Sequence, residues 1–521
     1  MSDRFEAGRH AGALVPLFSI PSRGSWGIGE IPDVVRFARW LSSAGLDVVQ
    51  LLPVNEMADG QNSPYSALSA MAIDPIYVAL GELDEFVAGG GEASLRPDER
   101  AALEEARQAP AVAYSRIRAI KSRVLRSIFN QCQTREWREG SVAADALREF
   151  MEREAWWLDD YALFRALRLE NGGRYWREWD AGVRDREPAA LDAARERLSP
   201  EILYRSWLQC IADTQWQKAR RDSAPVGIFG DFPFMVSGDS ADVWSRQYEF
   251  RLDAAVGVPP DPFSETGQDW GLPVYRWDVI ANGGYEWLRQ RARRCAELYD
   301  GFRVDHLVGF YRTFVRERDG ATQFVPPDKP SQIAQGERLL THLRESGSRL
   351  IAEDLGIVPD FVRASLARLG VPGLKVLRWE REWGVVGHPF REPSTYPPIS
   401  VAITGTHDTE TLAEWWDTAP DEERACAANL KTLREAGCRP TDPFSGTVRD
   451  ALLASVFGAG SDLVLVPVQD IFGWRDRVNT PAVVDDVNWT WRLPWPVEHL
   501  LVEPGPRERA AYVLQLARAR A

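Results

Sequence analysis

Three short apolar runs in this chain each end in carboxylates: Asp300-Gly-Phe-Arg-Val-Asp-His306, Arg349-Leu-Ile-Ala-Glu-Asp354 and Val401-Ala-Ile-Thr-Gly-Thr-His-Asp408. Each run is strand-length and shows little of the alternation that a half-exposed strand needs. Strands of that kind are buried on both faces, which confines them to parallel sheets covered by helices. An acidic residue just past the end of several such strands is the arrangement expected of an active site at the carboxyl-terminal rim of a parallel barrel.

Similar runs occur at 46–54, 76–80, 226–232, 375–379 and 462–470, which with 301–306, 349–354 and 400–408 makes eight. Helical periodicity lies between them. Residues 32–44 read as a helix capped by Gly45, and 359–369 as a helix ending before Gly370. Alternating strands and helices predict a (β/α)8 TIM barrel. With 521 residues, 45% of them hydrophobic, a single catalytic barrel can span 1–521. The spacing is uneven. Residues 81–225, rich in Ala, Arg, Glu and Leu, predict a mainly helical insertion subdomain between the second and third strands. Residues 233–285, rich in Pro, Gly and Trp, predict an irregular active-site loop or lid. The chain closes with a helix over 506–520, so no separate C-terminal β-domain is expected.

Net charge is -14 with both signs interspersed, which argues against a nucleic-acid footprint and says little about a neutral substrate. Five cysteines, widely spaced and without a CxxC pair, argue against a disulfide framework or zinc site and for a reducing compartment. No run approaches the roughly 20 apolar residues of a membrane span, and the first residues lack the apolar run of a signal peptide. The expectation is a soluble cytoplasmic protein. The 21 tryptophans fit core packing and also fit the stacking of sugar rings.

On a strand, Arg303 and Asp305 point the same way. A guanidinium beside a carboxylate lowers its pKa and suits an ionised nucleophile, although the pair alone also describes a structural ion pair. Glu353 emerges from an apolar strand, where a raised pKa suits an acid. Asp408 follows His407, and His306 follows Asp305; with only six histidines in the chain, two beside rim carboxylates are informative. His with Asp or Glu is also metal-ligand chemistry, but no HxH or HExxH occurs and Arg303 would compete with a cation, so no metal is expected. Asp231 ends the preceding strand as a fourth rim carboxylate. Two carboxylates can hydrolyse or transfer a glycosidic bond, and a third can assist.

These residues, with Gly12-Ala-Leu-Val-Pro-Leu-Phe-Ser-Ile-Pro-Ser-Arg-Gly-Ser-Trp-Gly-Ile-Gly29, Gln50-Leu-Leu-Pro53, Asn62-Ser-Pro-Tyr-Ser-Ala-Leu-Ser69, Gly230-Asp-Phe-Pro233, Gly257-Val-Pro-Pro-Asp-Pro-Phe-Ser264, Gly267-Gln-Asp-Trp-Gly271, Val371-Pro-Gly-Leu-Lys-Val-Leu377 and Arg477-Val-Asn-Thr-Pro481, resemble the 4-alpha-glucanotransferases (amylomaltase or disproportionating enzyme) of glycoside hydrolase family 77. The resemblance implies Asp305 as nucleophile, Glu353 as general acid/base and Asp408 as the third carboxylate. It implies Arg303, His306, His407 and Asp231 around the donor glucose, and Tyr65, Asp261, Gln268 and Trp270 on the acceptor side and its covering loop. It implies maltooligosaccharides and starch- or glycogen-derived glucans as partners, and no cofactor. An alpha-glucan hydrolase with the same carboxylates, an inactive glucan-binding protein and a metal-dependent barrel enzyme are the alternatives. Residues 56–61, 316–332 and Trp379-Glu-Arg-Glu depart from the family's common form and bear on acceptor preference.

Overall fold

The computed structural model describes residues 8–133, 141–259, 267–481, 483 and 485–520. Its strands in chain order are β1 (His10–Leu14), β2 (Val48–Gln50), β3 (Gly227–Phe232), β4 (Phe250–Val258), β5 (Gln268–Tyr275), β6 (Gly301–Val304), β7 (Thr313–Glu317), β8 (Thr322–Val325), β9 (Arg349–Ala352), β10 (Gly373–Val376), β11 (Ser400–Ile403) and β12 (Leu463–Pro467). Eight of them close a parallel barrel in the order β1-β12-β11-β10-β9-β6-β3-β2. Alternate residues explain why these segments are apolar throughout. Val48, Phe229, Ile351, Leu374, Val401 and Leu463 fill the barrel interior. Their neighbours Val49, Ile228, Leu350, Ala402 and Val464 face the helices. Both faces are therefore dry.

Two of the eight strands differ from the sequence expectation. Residues 76–80 are not a strand. Pro75–Tyr77 form a 3-10 turn, with the Asp74 carboxylate accepting from the Ile76 N–H at 2.9 Å. This extended, apolar stretch finds its backbone partners in side chains. The Gln209 amide exchanges two 2.9 Å hydrogen bonds with Ile73, and Gln215 does the same with Ala79. The missing strand is β1, whose His-Ala-Gly-Ala-Leu sequence carries no β-branched residue. Gly12 is required there by contact: a Cβ would lie 2.2 Å from the Val48 carbonyl oxygen on the neighbouring strand. Gain and loss cancel, so 81–225 still falls between the second and third strands.

That stretch holds the helices Pro97–Gln108, Tyr114–Cys132, Val142–Glu170, Pro188–Arg197 and Ser199–Asp222 and no strand among its described residues. Residues 233–285, read as irregular, are corrected by the structure: they contain β4 and β5. These strands join β7 and β8 in a four-stranded antiparallel sheet of order β5-β4-β7-β8. Register shifts between Arg251 and Ala255 and between Val256 and Gly257 break the period of two that would have revealed β4. Pro273 sits on β5, an edge strand, where a missing N–H costs no ladder bond. Among the described residues β12 is followed by helices, ending with Pro504–Arg520, and by no separate β-domain. Trp26, Trp40, Trp176, Trp216, Trp244 and Trp416 are fully buried packing residues.

Gly12→Ala should force β1 and β2 apart and destabilise the protein by about 1–3 kcal/mol. Gly24→Ala places its methyl in open space and should be neutral. Thermal unfolding of the two variants beside the parent checks both outcomes.

Candidate active site

Register and alternation assemble the barrel mouth. β3 and β6 pair with Asp231 opposite Arg303, and both side chains point inward beyond the Phe229 layer. Arg303 then forks onto Asp231, Nε to Oδ1 at 3.0 Å and Nη2 to Oδ2 at 2.8 Å, while Nη2 also donates to Asp305 Oδ1 at 2.6 Å. The same Nη2 donates to the Tyr65 hydroxyl oxygen at 3.2 Å. The Tyr65 hydroxyl donates its one hydrogen to Asp231 Oδ2 at 2.5 Å. Its 3.1 Å contact with His407 Nε2 therefore needs that nitrogen to carry the proton. His407 Nε2 is also 3.3 Å from Asp408 Oδ2.

Burial sorts these groups into two layers. The Asp231 side chain has 0% exposure and Arg303 6%. His407 is buried as well. Asp231 and Arg303 touch each other, and all three touch Tyr65 behind the cleft. Asp305 at 31% and Asp408 at 43% remain open to it. Glu353, one residue beyond β9, accepts the His306 backbone N–H at 2.7 Å on Oε2. His306 adopts φ 42°, an uncommon left-handed turn for a residue with a side chain. Its ring packs edge-on against Trp270 with centroids 4.8 Å apart, and Trp270 donates to Gln268 at 3.2 Å. The antiparallel sheet is thereby brought to the rim through β5. Asp261 lies outside the described residues.

The sequence reading missed three neighbours. Asn479 Nδ2 donates to Asp408 Oδ1 at 2.6 Å, and Arg477 Nη2 donates to the Asp408 carbonyl at 3.0 Å. The Trp489 ring lies 5.7 Å from Tyr65 and 5.6 Å from His407. Arg477-Val-Asn479 was visible as a motif, but no spacing tied it to Asp408.

The carboxylates do not titrate alike. Burial, with the charge of Asp305, pushes Glu353 up to about 8 against the pull of Arg303 and the His306 N–H. Burial also pushes Asp305 up to about 6. Arg303 opposes that rise without reversing it, so the expectation of a depressed Asp305 pKa is corrected: desolvation outweighs the guanidinium. At Asp408 the balance reverses. Burial would raise it, but His407, the Asn479 hydrogen bond and Arg303 together hold it down at about 2. Burial lowers His306 to about 4, leaving a neutral imidazole at neutral pH. Among the described residues no group of three or more His, Cys, Asp or Glu side chains is disposed to hold a metal ion.

A closed parallel barrel with four carboxylates at its mouth, one depressed and two raised in pKa, defines an acid–base enzyme site on a TIM barrel. The chain belongs to the 4-alpha-glucanotransferase family, glycoside hydrolase family 77, whose profile matches residues 15–498. It is 35% identical over 526 residues to the 4-alpha-glucanotransferase of Thermus thermophilus, covering 97% of this chain and 98% of that protein. It is 31% identical over 503 residues to the Chlamydia pneumoniae enzyme of the same name, covering 94% and 92%. The structure of an amylomaltase from Streptococcus agalactiae in complex with acarbose superposes with a TM-score of 0.83 at 26% identity, covering 98% of this chain and 99% of that one. The protein is an enzyme of the 4-alpha-glucanotransferase type.

Tyr65→Phe removes the hydroxyl that joins Asp231, Arg303 and His407 while keeping the ring against Trp489. Initial rates of glucose release from maltotriose should fall about 10- to 100-fold, the equivalent of one charge-assisted hydrogen bond, with an unchanged circular dichroism spectrum.

Proposed function

We propose that the protein transfers alpha-1,4-glucan segments from a donor maltooligosaccharide to the 4-hydroxyl of an acceptor glucan or glucose, by a retaining double displacement. Asp305 attacks the anomeric carbon to give a covalent glycosyl-Asp intermediate while Glu353 protonates the departing oxygen. Glu353 then removes the proton from the incoming 4-hydroxyl, and the sugar oxygen displaces Asp305. Asp408, ionised and held by His407 and Asn479, binds sugar hydroxyls and offsets the positive charge that develops on the ring.

The single observation that supports this reading is the unequal setting of Asp305 and Glu353. Asp305 receives a 2.6 Å charge-assisted hydrogen bond from Arg303, which favours its ionised form and aims it. Glu353 receives only a backbone N–H and holds its proton to higher pH. Two carboxyl groups pushed apart in pKa are what acid and nucleophile need. Transfer also requires that an acceptor sugar outcompete water. Trp270, packed on His306 beside Asp305, supplies an apolar surface there that favours a pyranose over water. Maltooligosaccharides and starch- or glycogen-derived glucans are the substrates this reading assigns, with no cofactor and a cytoplasmic setting.

Incubation with maltotriose tests the reaction. A ladder of longer oligosaccharides together with glucose is expected; shortening alone would identify a hydrolase. Asp305→Asn should lower turnover by several orders of magnitude while maltooligosaccharide binding, read by calorimetry, persists. An unchanged rate would falsify the nucleophile assignment.

The pH profile follows from the two raised groups. Asp305 must be ionised, so kcat/KM should rise with pH through about 6. Glu353 must be protonated, so it should fall through about 8. The two limbs belong to the interacting pair. Glu353→Gln should abolish the alkaline limb of the residual activity; retention of that limb would show that another group titrates there.

A further inference from the structure

A cavity of about 570 Å³ lies between helices Tyr114–Cys132, Val142–Glu170 and Ser199–Asp222 and the loop at Glu56 to Gly60. None of the barrel-mouth residues lines it. Its wall carries Arg118, Lys121, Arg126, Arg165, Arg168 and Arg205 against two carboxylates, Glu56 and Asp59. The chain as a whole carries a net charge of -14, so six basic side chains around one cavity are not inherited from composition.

Internal pairing accounts for part of this charge. Arg118 forks onto Asp74 at 3.0 and 2.6 Å, and Lys121 donates to the carbonyls of Ile76 and Val78 and pairs with Glu30. Arg165 pairs with Glu56 at 3.1 Å and Arg168 with Asp239 at 2.7 Å. The pairing is incomplete. Arg126 and Arg205 share the one carboxylate of Glu201, at 2.5 and 2.7 Å. Asp59 comes no closer than 3.9 Å to Arg168 and 4.0 Å to Arg165. The Nε–H groups of Arg118, Arg165 and Arg168 are buried without an acceptor. Six carboxylates thus answer the six basic groups, but Asp74, Glu30, Glu201 and Asp239 stand outside the wall, and the groups lining the cavity itself are mainly basic.

We propose that this cavity is a binding site for a small phosphomonoester. Guanidinium forks match the oxygens of a phosphate, and a dianion suits a wall where several arginines converge. The Ser115 and Ser122 hydroxyls line the same cavity and add neutral hydrogen-bonding groups. The volume suits a metabolite-sized ligand. A nucleic acid is disfavoured, because the basic groups surround a concavity instead of forming a stripe and the acidic chain repels a polyanion. The site also adjoins the barrel mouth through the chain. Glu56 in its wall exchanges backbone bonds with Leu68 and Ala72 at 2.7 and 3.0 Å, and Ala58 donates to the Ser66 carbonyl at 2.9 Å, next to Tyr65.

Calorimetric titration of the full chain with glucose 6-phosphate, inorganic phosphate and glucose, at constant ionic strength set with KCl, tests the assignment. Glucose 6-phosphate should bind saturably at one site, inorganic phosphate more weakly and glucose not at all at that site. Ser122→Glu adds a repelling charge at an exposed wall position, and Arg126→Gln leaves Arg205 on Glu201. Each should weaken the phosphate ester about tenfold or more while the thermal midpoint of the unliganded protein stays that of the parent. Tighter binding of inorganic phosphate than of the ester would identify the free anion as occupant and still support a phosphate site. Absence of saturable binding by both phosphate compounds up to roughly 10 mM, or parental affinity in both variants, would overturn it.

Discussion

The Arg303 guanidinium is the interaction on which the barrel mouth depends. Four carboxylates, Asp231, Asp305, Glu353 and Asp408, stand at the ends of β3, β6, β9 and β11, and gathering them in a desolvated site is unfavourable unless a cation offsets them. Arg303 is in direct contact with two, forking onto Asp231 and reaching Asp305. Its position is a product of the barrel itself. Parallel register places it opposite Asp231, and the period of two places it on the same side as Asp305. Without it, Asp231 would be a fully buried charge facing only neutral donors, the Tyr65 hydroxyl and the Phe232 backbone N–H. Barrel closure and site electrostatics are therefore one problem with one solution.

From that clamp outward, the same chemical group acquires three different behaviours. Asp408 is supported by an imidazole and an amide and stays ionised far into acid. Asp305 opens on the cleft while its inner oxygen faces a cation. Glu353 has a backbone N–H and an anionic neighbour, and keeps its proton longest. None of these directions is intrinsic to Asp or Glu. Behind them, buried His407 and Asn479 hold Asp408, and the half-buried Tyr65 and Trp489 rings pack on His407. Side chains held in this way suit the proposed reaction, in which a sugar is attacked from one side and protonated from the other.

Much of this was legible in the sequence, and the reasons differ from element to element. The runs ending at Asp305, Glu353 and Asp408 were readable because a strand buried on both faces writes its length directly into an apolar run. Strand β1 was not readable, because its small residues answer to the approach of β2 and not to strand propensity. Residues 76–80 imitated a strand because they are an apolar run, yet the chain makes a 3-10 turn at Pro75–Tyr77 and glutamine side chains 136 positions further along satisfy the flanking backbone at Ile73 and Ala79. Strand β4 was hidden by its bulges. Asn479 and Trp489 were hidden by separation: Asn479 is 71 positions along the chain from the carboxylate it holds, and no periodicity spans that distance. The cavity wall that gathers Arg118, Arg126, Arg165, Arg168 and Arg205 was equally invisible: the helix Tyr114–Cys132 is visibly basic, but nothing local shows that Arg165, Arg168 and Arg205 from two other helices join it around one cavity.

The sequence by itself determined the barrel class, the strand ends that carry carboxylates and, through its ordered motifs, the glucanotransferase family. Those features are local: the period of a strand and a motif at its end are set within ten residues. Only the tertiary structure decided which carboxylates are open and which are buried, which proton stays on longest and what stands behind each acid. It also set the Asp305 pKa on the high side of the ordinary value, where local reasoning from Arg303 placed it on the low side. Desolvation depends on everything packed around a group, and that sum is taken over space and not along the chain.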